Sequence, residues 1–142
     1  MDTYNDPALE QYAALDRMGD ERSRTFKQMI AKVSPQFIMA HGGEMLQHFK
    51  DLKALSIQSQ YKLEELSRRY DHDSDKFSKI LQGAERRLDR QLEDMSMMRR
   101  ALLSLPVSDM SPEAMRHQSF LLQALSDAQD SFNRELDRLY DL

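Results

Sequence analysis

The chain contains no cysteine, which excludes disulfides, thiolate nucleophiles and cysteine-ligated metals. Glycine and proline are scarce, four of each in 142 residues, too few for the turns of an all-β or loop-rich protein. No apolar run approaches the roughly 18 residues that cross a bilayer, so membrane insertion is not expected. The stretch from Met1 to Pro7 is acidic and lacks the apolar core of a secretory signal. The expected location is therefore the cytoplasm, although a signal-independent export route is compatible with the same residues. Neither sign of charge dominates: 20 basic side chains stand against 24 acidic ones, for a net -4. They are interspersed, so no strong attraction to phosphate or anionic lipid is expected.

What the sequence does have is helical periodicity. Charged residues make up 31% and hydrophobic ones 40%, with a mean hydropathy of -0.71. In a disordered chain such polarity comes without period, and here the period is clear. The length suits one domain, residues 1–142, large enough to bury a core. Asp6-Pro7 opens a first helix, with Asp as N-cap and Pro at the first helical position. Leu9, Tyr12, Leu15, Met18, Phe26, Met29, Ile30 and Val33 then follow at helical spacing. Ser34-Pro35 ends it, because a residue before proline avoids the α region.

Residues 34–43 read as an unusually apolar linker carrying Phe37, Ile38 and Met39 before His41-Gly42-Gly43. From Glu44 to Leu105 there is no proline and a single glycine, Gly83. The seam Met45, Phe49, Leu52, Ser56, Ser59, Leu63, Leu66, Tyr70 alternates steps of four and three, a coiled-coil heptad weakened by two serines. It drifts through Phe77, Ile80, Ala84, Leu88, Leu92, Met95 and Leu102 toward an eleven-residue period. Ser111-Pro112 starts a last helix with the seam Met115, Leu121, Leu122, Leu125, Ala128, Phe132, Leu136, Leu139. Leu88 and Leu125 lie centrally in their seams and are expected to be buried.

The fold class predicted is all-α: an antiparallel four-helix bundle or long helical hairpin, with helices near 7–33, 44–70, 74–104 and 112–141. Helix content is expected above about 70%, against a base rate near one third. The acidic run Asp71, Asp73, Asp75 and a capping Ser74 favour a turn there, and the four lengths then match as an up-down-up-down bundle requires. The alternative is one central helix of about 60 residues, about 90 Å long, with the terminal helices folded back on it. Charge favours pairing of the last two helices: residues 74–106 carry seven basic and five acidic side chains, and residues 107–142 three and seven.

Chemical motifs are weak. Asp71, Asp73 and Asp75 match the start of a calcium loop, but Lys76 stands where its glycine belongs and Gln82 where its glutamate belongs. His41, Glu44 and His48 could share a helix face and hold zinc, were it not for Gly42-Gly43 between them. There is no glycine-flanked nucleophile and no Gly-rich phosphate loop. Glu64-Glu65 and Glu93-Asp94 read as solvated faces among arginines. Arg86, Arg87, Arg90, Arg99 and Arg100 are the best nucleic-acid stretch, but Glu85, Asp89, Glu93 and Asp94 interleave and oppose phosphate. No enzyme, catalytic residue, cofactor or metal is expected.

Ten methionines are the feature that points to function. Methionine is flexible and polarizable and recurs where a surface accepts another protein. In the four-helix reading, Phe37, Ile38 and Met39 fall at the same end as Met95, Met97 and Met98, and these six form the candidate partner site. The competing reading makes them an irregular core cap. The expectation is a non-enzymatic interaction module: a small adaptor, an assembly or secretion-type chaperone, or a scaffold. A nucleic-acid-associated helical regulator is the alternative, and a metal-binding bundle the third reading. Self-association as a homodimer is also expected, because Leu55, Ile57 and Leu81 widen the seam beyond what one partner helix covers.

Overall fold

Each helix starts on a side-chain cap dictated by the local sequence. Asp6 Oδ1 accepts from Ala8 N at 2.9 Å, Ser34 Oγ from Phe37 N at 3.0 Å, Ser74 Oγ from Phe77 N at 3.2 Å and Ser111 Oγ from Ala114 N at 3.1 Å. In three of the four, proline follows the cap at the first helical position. The computed structural model describes residues 6–71 and 74–142. Its elements are α1 (Pro7–Lys32), α2 (Pro35–Arg69), α3 (Asp75–Leu103) and α4 (Pro112–Asp141), with a short 3-10 turn at Val107–Asp109. Helix takes in 91% of the described residues, with no strand among them.

The expected linker at 34–43 does not exist as such. α2 begins at Pro35, ahead of the expected Glu44, and runs through Gly42 and Gly43. Ser34-Pro35 both ends α1 and starts α2, the same cap-plus-proline signal that Asp6-Pro7 and Ser111-Pro112 carry. The apolar run Phe37-Ile38-Met39 is therefore divided among the faces of a helix. Two glycines did not stop it, since a glycine inside a long packed helix costs only about 1 kcal/mol.

α2 ends at Arg69 and α3 begins at Asp75, so the single long central helix is not adopted and a four-helix bundle is. His72 and Asp73 lie outside the described residues. Around the bundle the order is α1, α2, α4, α3, so α2 and α3 face each other across the diagonal. The antiparallel neighbours are α1/α2, where Asp6 Oδ1 pairs with Arg69 and Arg22 with Asp51, and α3/α4, where Tyr140 donates to Glu85 and Gln118 to the Leu102 carbonyl. The parallel neighbours are α2/α4, joined from Ile38–His117 down to Glu64–Arg138, and α1/α3, joined from Tyr12–Arg87 to Lys27–Asp94.

The most extensive contact is α2 on α4. Small residues make it close. A Cβ on Gly42 would come within 2.7 Å of His117 Nδ1, and Ser131 Oγ donates to Ser56 Oγ at 3.0 Å. Helix separation follows the size of the side chains at the contact. The serine that weakens the α2 heptad therefore helps bring α4 close.

Candidate functional site

Two features depart from a plain apolar bundle. The first is a layer of buried polar side chains contributed by all four helices. Glu135 on α4 is fully buried and Arg87 on α3 is 5% exposed. Arg87 Nη2 donates to Glu135 Oε2 at 2.8 Å and to the Tyr12 hydroxyl at 3.2 Å, and Nη1 donates to Gln91 Oε1 at 3.2 Å. Arg87 Nε lies 2.6 Å from Asp16 Oδ1, an ion pair not aligned as a hydrogen bond. Ser56 on α2 donates to the other oxygen of Glu135 at 2.8 Å, and Gln60 donates to the Ser131 carbonyl at 3.0 Å.

Burial opposes the Arg87 charge, but Glu135 and Tyr12 outweigh it and hold the guanidinium above its ordinary value. Burial raises the Glu135 carboxyl, against the pull of Arg87 and Ser56, and pushes the Tyr12 phenol up to about 12. Every charge here is matched by another chain element. The layer holds four helices in register.

A second buried polar group, His48, is 4% exposed and stacks on Phe26 at 6.0 Å between centroids. Its Nε2 lies 3.1 Å from the Arg22 carbonyl, so Nε2 carries the proton and donates. Burial, then the nearby Arg22 charge, lowers its pKa from 6.5. The unfolded chain therefore binds the proton first, and stability falls as pH drops below about 6.5. A series of urea melts from pH 7.5 to 5.5 should show this slope, and His48→Gln should flatten it. An unchanged slope in the variant would assign the dependence to other groups.

The second feature is the end of the bundle where the 33–34 and 104–111 connections meet. The structure divides the six expected partner-site residues there. Ile38, Met95 and Met98 are at most 1% exposed and belong to the core. Phe37 is half-buried against it, with its ring 4.7 Å from His41. Met39 and Met97 are exposed, but on α2 and α3, helices that sit across the diagonal, so they do not share a face.

Residues that the sequence reading did not single out complete the surface. Phe120 is 64% exposed and lines a shallow groove with Gly42, Gly43, Leu46, His117 and Leu121. Met39 and Ala40 line the adjoining cleft with Ser111 and Ala114. Both run along the α2/α4 seam. Of ten exposed large hydrophobics among the described residues, six (Met39, Met97, Leu103, Val107, Met115, Phe120) lie at this end. The usable signal in the sequence was Phe120 itself, one position before the seam residue Leu121 and hence about 100° around the helix from it.

The metal readings find little geometry. His41 Nδ1 is 3.5 Å from Glu44 Oε2 on the surface, whereas His48 is buried against α1. Among the described residues no group of three or more histidines and carboxylates could hold a metal ion; Asp73 of the acidic run lies outside them. No described helix is long and apolar enough to cross a membrane. No protein-family model, no curated protein and no solved structure matches this chain.

Proposed function

We propose that the protein is a non-enzymatic protein–protein interaction module, a small cytoplasmic adaptor, assembly or secretion-type chaperone, or scaffold. The observation that supports this is the apolar α2/α4 surface at the connection end, with Met39 and Phe120 exposed beside the open position at Gly43. Single exposed hydrophobics are ordinary, whereas exposed apolar side chains beside an apolar groove, as Phe120 is beside Gly42, Leu46 and Leu121, mark a contact surface. Phe120 carries the largest exposed ring there, and aromatic anchors dominate binding at such sites.

The test is capture from the native host with the full chain as bait. Met39→Glu with Phe120→Glu should abolish capture of the partner at least tenfold, while helicity and the melting curve stay nearly unchanged, as for surface changes. Undiminished capture, or an unfolded double variant, contradicts the reading.

The same surface supports a homodimer. A protruding ring and an open groove on one face allow two copies to pair by a two-fold axis. Light scattering at tens of micromolar should give the mass of two copies for the native chain and of one for Phe120→Glu. A monomer mass for the native chain contradicts the dimer.

A further inference from the structure

α1 is held differently from the other helices. It buries four residues, Ala8, Tyr12, Gly19 and Phe26, against twelve in α2, nine in α3 and eight in α4. Only two of those four side chains are large, and Leu9, Met29 and Ile30 pack half-buried against the core beside them. Polar contacts run the whole length of the helix. Asp6 meets Arg69, Gln11 meets Lys62, Asp16 meets Arg87, Asp20 meets Arg90, Arg22 meets Asp51 and Lys27 meets Asp94. The Asp16–Arg87 pair belongs to the buried layer, whereas the others each have at least one partner open to solvent, and such pairs contribute little and weaken with salt. Along the α1/α3 boundary lies a charged cleft of about 240 Å³ lined by Ser23, Arg24, Arg90 and Asp94 among others.

α1 fills the space between α2 and α3, which make little direct contact with each other. Lifting α1 leaves α4 as the floor of a groove. One wall offers Arg87 and Arg90, and the other offers Phe49 and His48, which meet Phe26. The groove thus has a defined complement, the one α1 supplies. It is an amphipathic helix with an aromatic residue, then carboxylates at the fourth and eighth positions beyond it, as in Tyr12, Asp16 and Asp20, then a second aromatic at Phe26.

We propose that α1 is a displaceable strap, and that the α2–α3 groove beneath it is a binding site for a partner's amphipathic helix of this acidic-aromatic pattern. Regions that open first are those with few buried apolar contacts, and α1 buries the fewest residues of the four helices. A partner helix need only exceed the cis advantage of α1, which acts at an effective concentration near millimolar through its two-residue hinge, Val33-Ser34. No residue of this groove belongs to the Met39–Phe120 surface, so failure here leaves that reading untouched.

Native-state hydrogen exchange on the full chain tests the strap. α1 amides should exchange at least tenfold faster than those in the middle of α2 and α4, and faster still in 0.5 M salt, about a 4 Å screening length. Exchange of α1 at the rate of α2, with no salt effect, overturns it. The site is tested with a labelled peptide of residues 6–33 as probe. It should bind the Asp16→Asn, Asp20→Asn chain at least tenfold more tightly than the native chain does. A peptide with lysine at both positions should bind that variant at least tenfold more weakly. No binding to the variant, or equal binding of the two peptides, overturns the site. A double mass for the peptide-free variant with α1 still protected assigns the groove to a second copy and also overturns the proposal.

Discussion

Replacing Arg87 by methionine is expected to lower stability by about 3–5 kcal/mol, because it strands a buried carboxylate. Glu135 is fully buried and receives its charged hydrogen bond from Arg87 Nη2 at 2.8 Å. Without the guanidinium it keeps only the Ser56 hydroxyl. The converse change, Glu135→Leu, should cost less, because Arg87 retains Asp16, Tyr12 and Gln91. The pair Arg87→Met with Glu135→Leu should recover most of the loss, since two apolar side chains of similar volume often replace a buried ion pair at little cost. Urea unfolding of the three variants gives the cycle directly. A loss below about 1 kcal/mol for Arg87→Met would place the pair in a solvated environment and contradict the buried layer.

Leu125→Ala and Leu88→Ala are each expected to cost about 2–5 kcal/mol. Both leucines have no exposed surface, and both belong to the one core that joins α3 and α4 to α2. The spread reflects how far the neighbours can close over the lost isobutyl group. Met97→Ala is the control: its side chain is 44% exposed, and its change should stay within about 0.5 kcal/mol. Equal losses at all three positions would mean that the seams are misplaced.

The apolar seams were legible because spacing alone decides which face of a helix turns inward. Met45, Phe49, Leu52, Leu63, Leu66, Phe77, Leu88, Leu102, Leu125 and Phe132 are all buried as their periodicity predicts. The start of α2 was hidden by Gly42-Gly43, which read as a break. The absence of a side chain at Gly42 instead lets α4 approach, with His117 lying over Gly42 and donating to the Ile38 carbonyl at 3.2 Å.

The polar layer was less visible. Arg87 reads as one arginine of a surface stretch with Arg86 and Arg90, and its partner Glu135 lies in another helix far along the chain. A hint existed in the serines of the α2 seam and in Ser131 and Glu135, one turn apart beside Phe132. Ser56 and Ser59 interrupt the α2 seam and Ser131 and Glu135 flank the α4 seam, and only the packing shows that Ser56, Ser131 and Glu135 meet at one level. The ring order α1, α2, α4, α3 was not legible either. Charge favoured the α3/α4 pair, which is formed, but the closer α2/α4 contact depends on small residues that carry no charge signal.

Backbone exchange footprinting of the complex with the captured partner tests the interaction reading most directly. Relative to the free chain, protection should concentrate in residues 35–46 and 111–121, where Met39, Leu46, His117 and Phe120 line the α2/α4 seam. Protection confined to the α3 surface, or no change at the connection end, would contradict it.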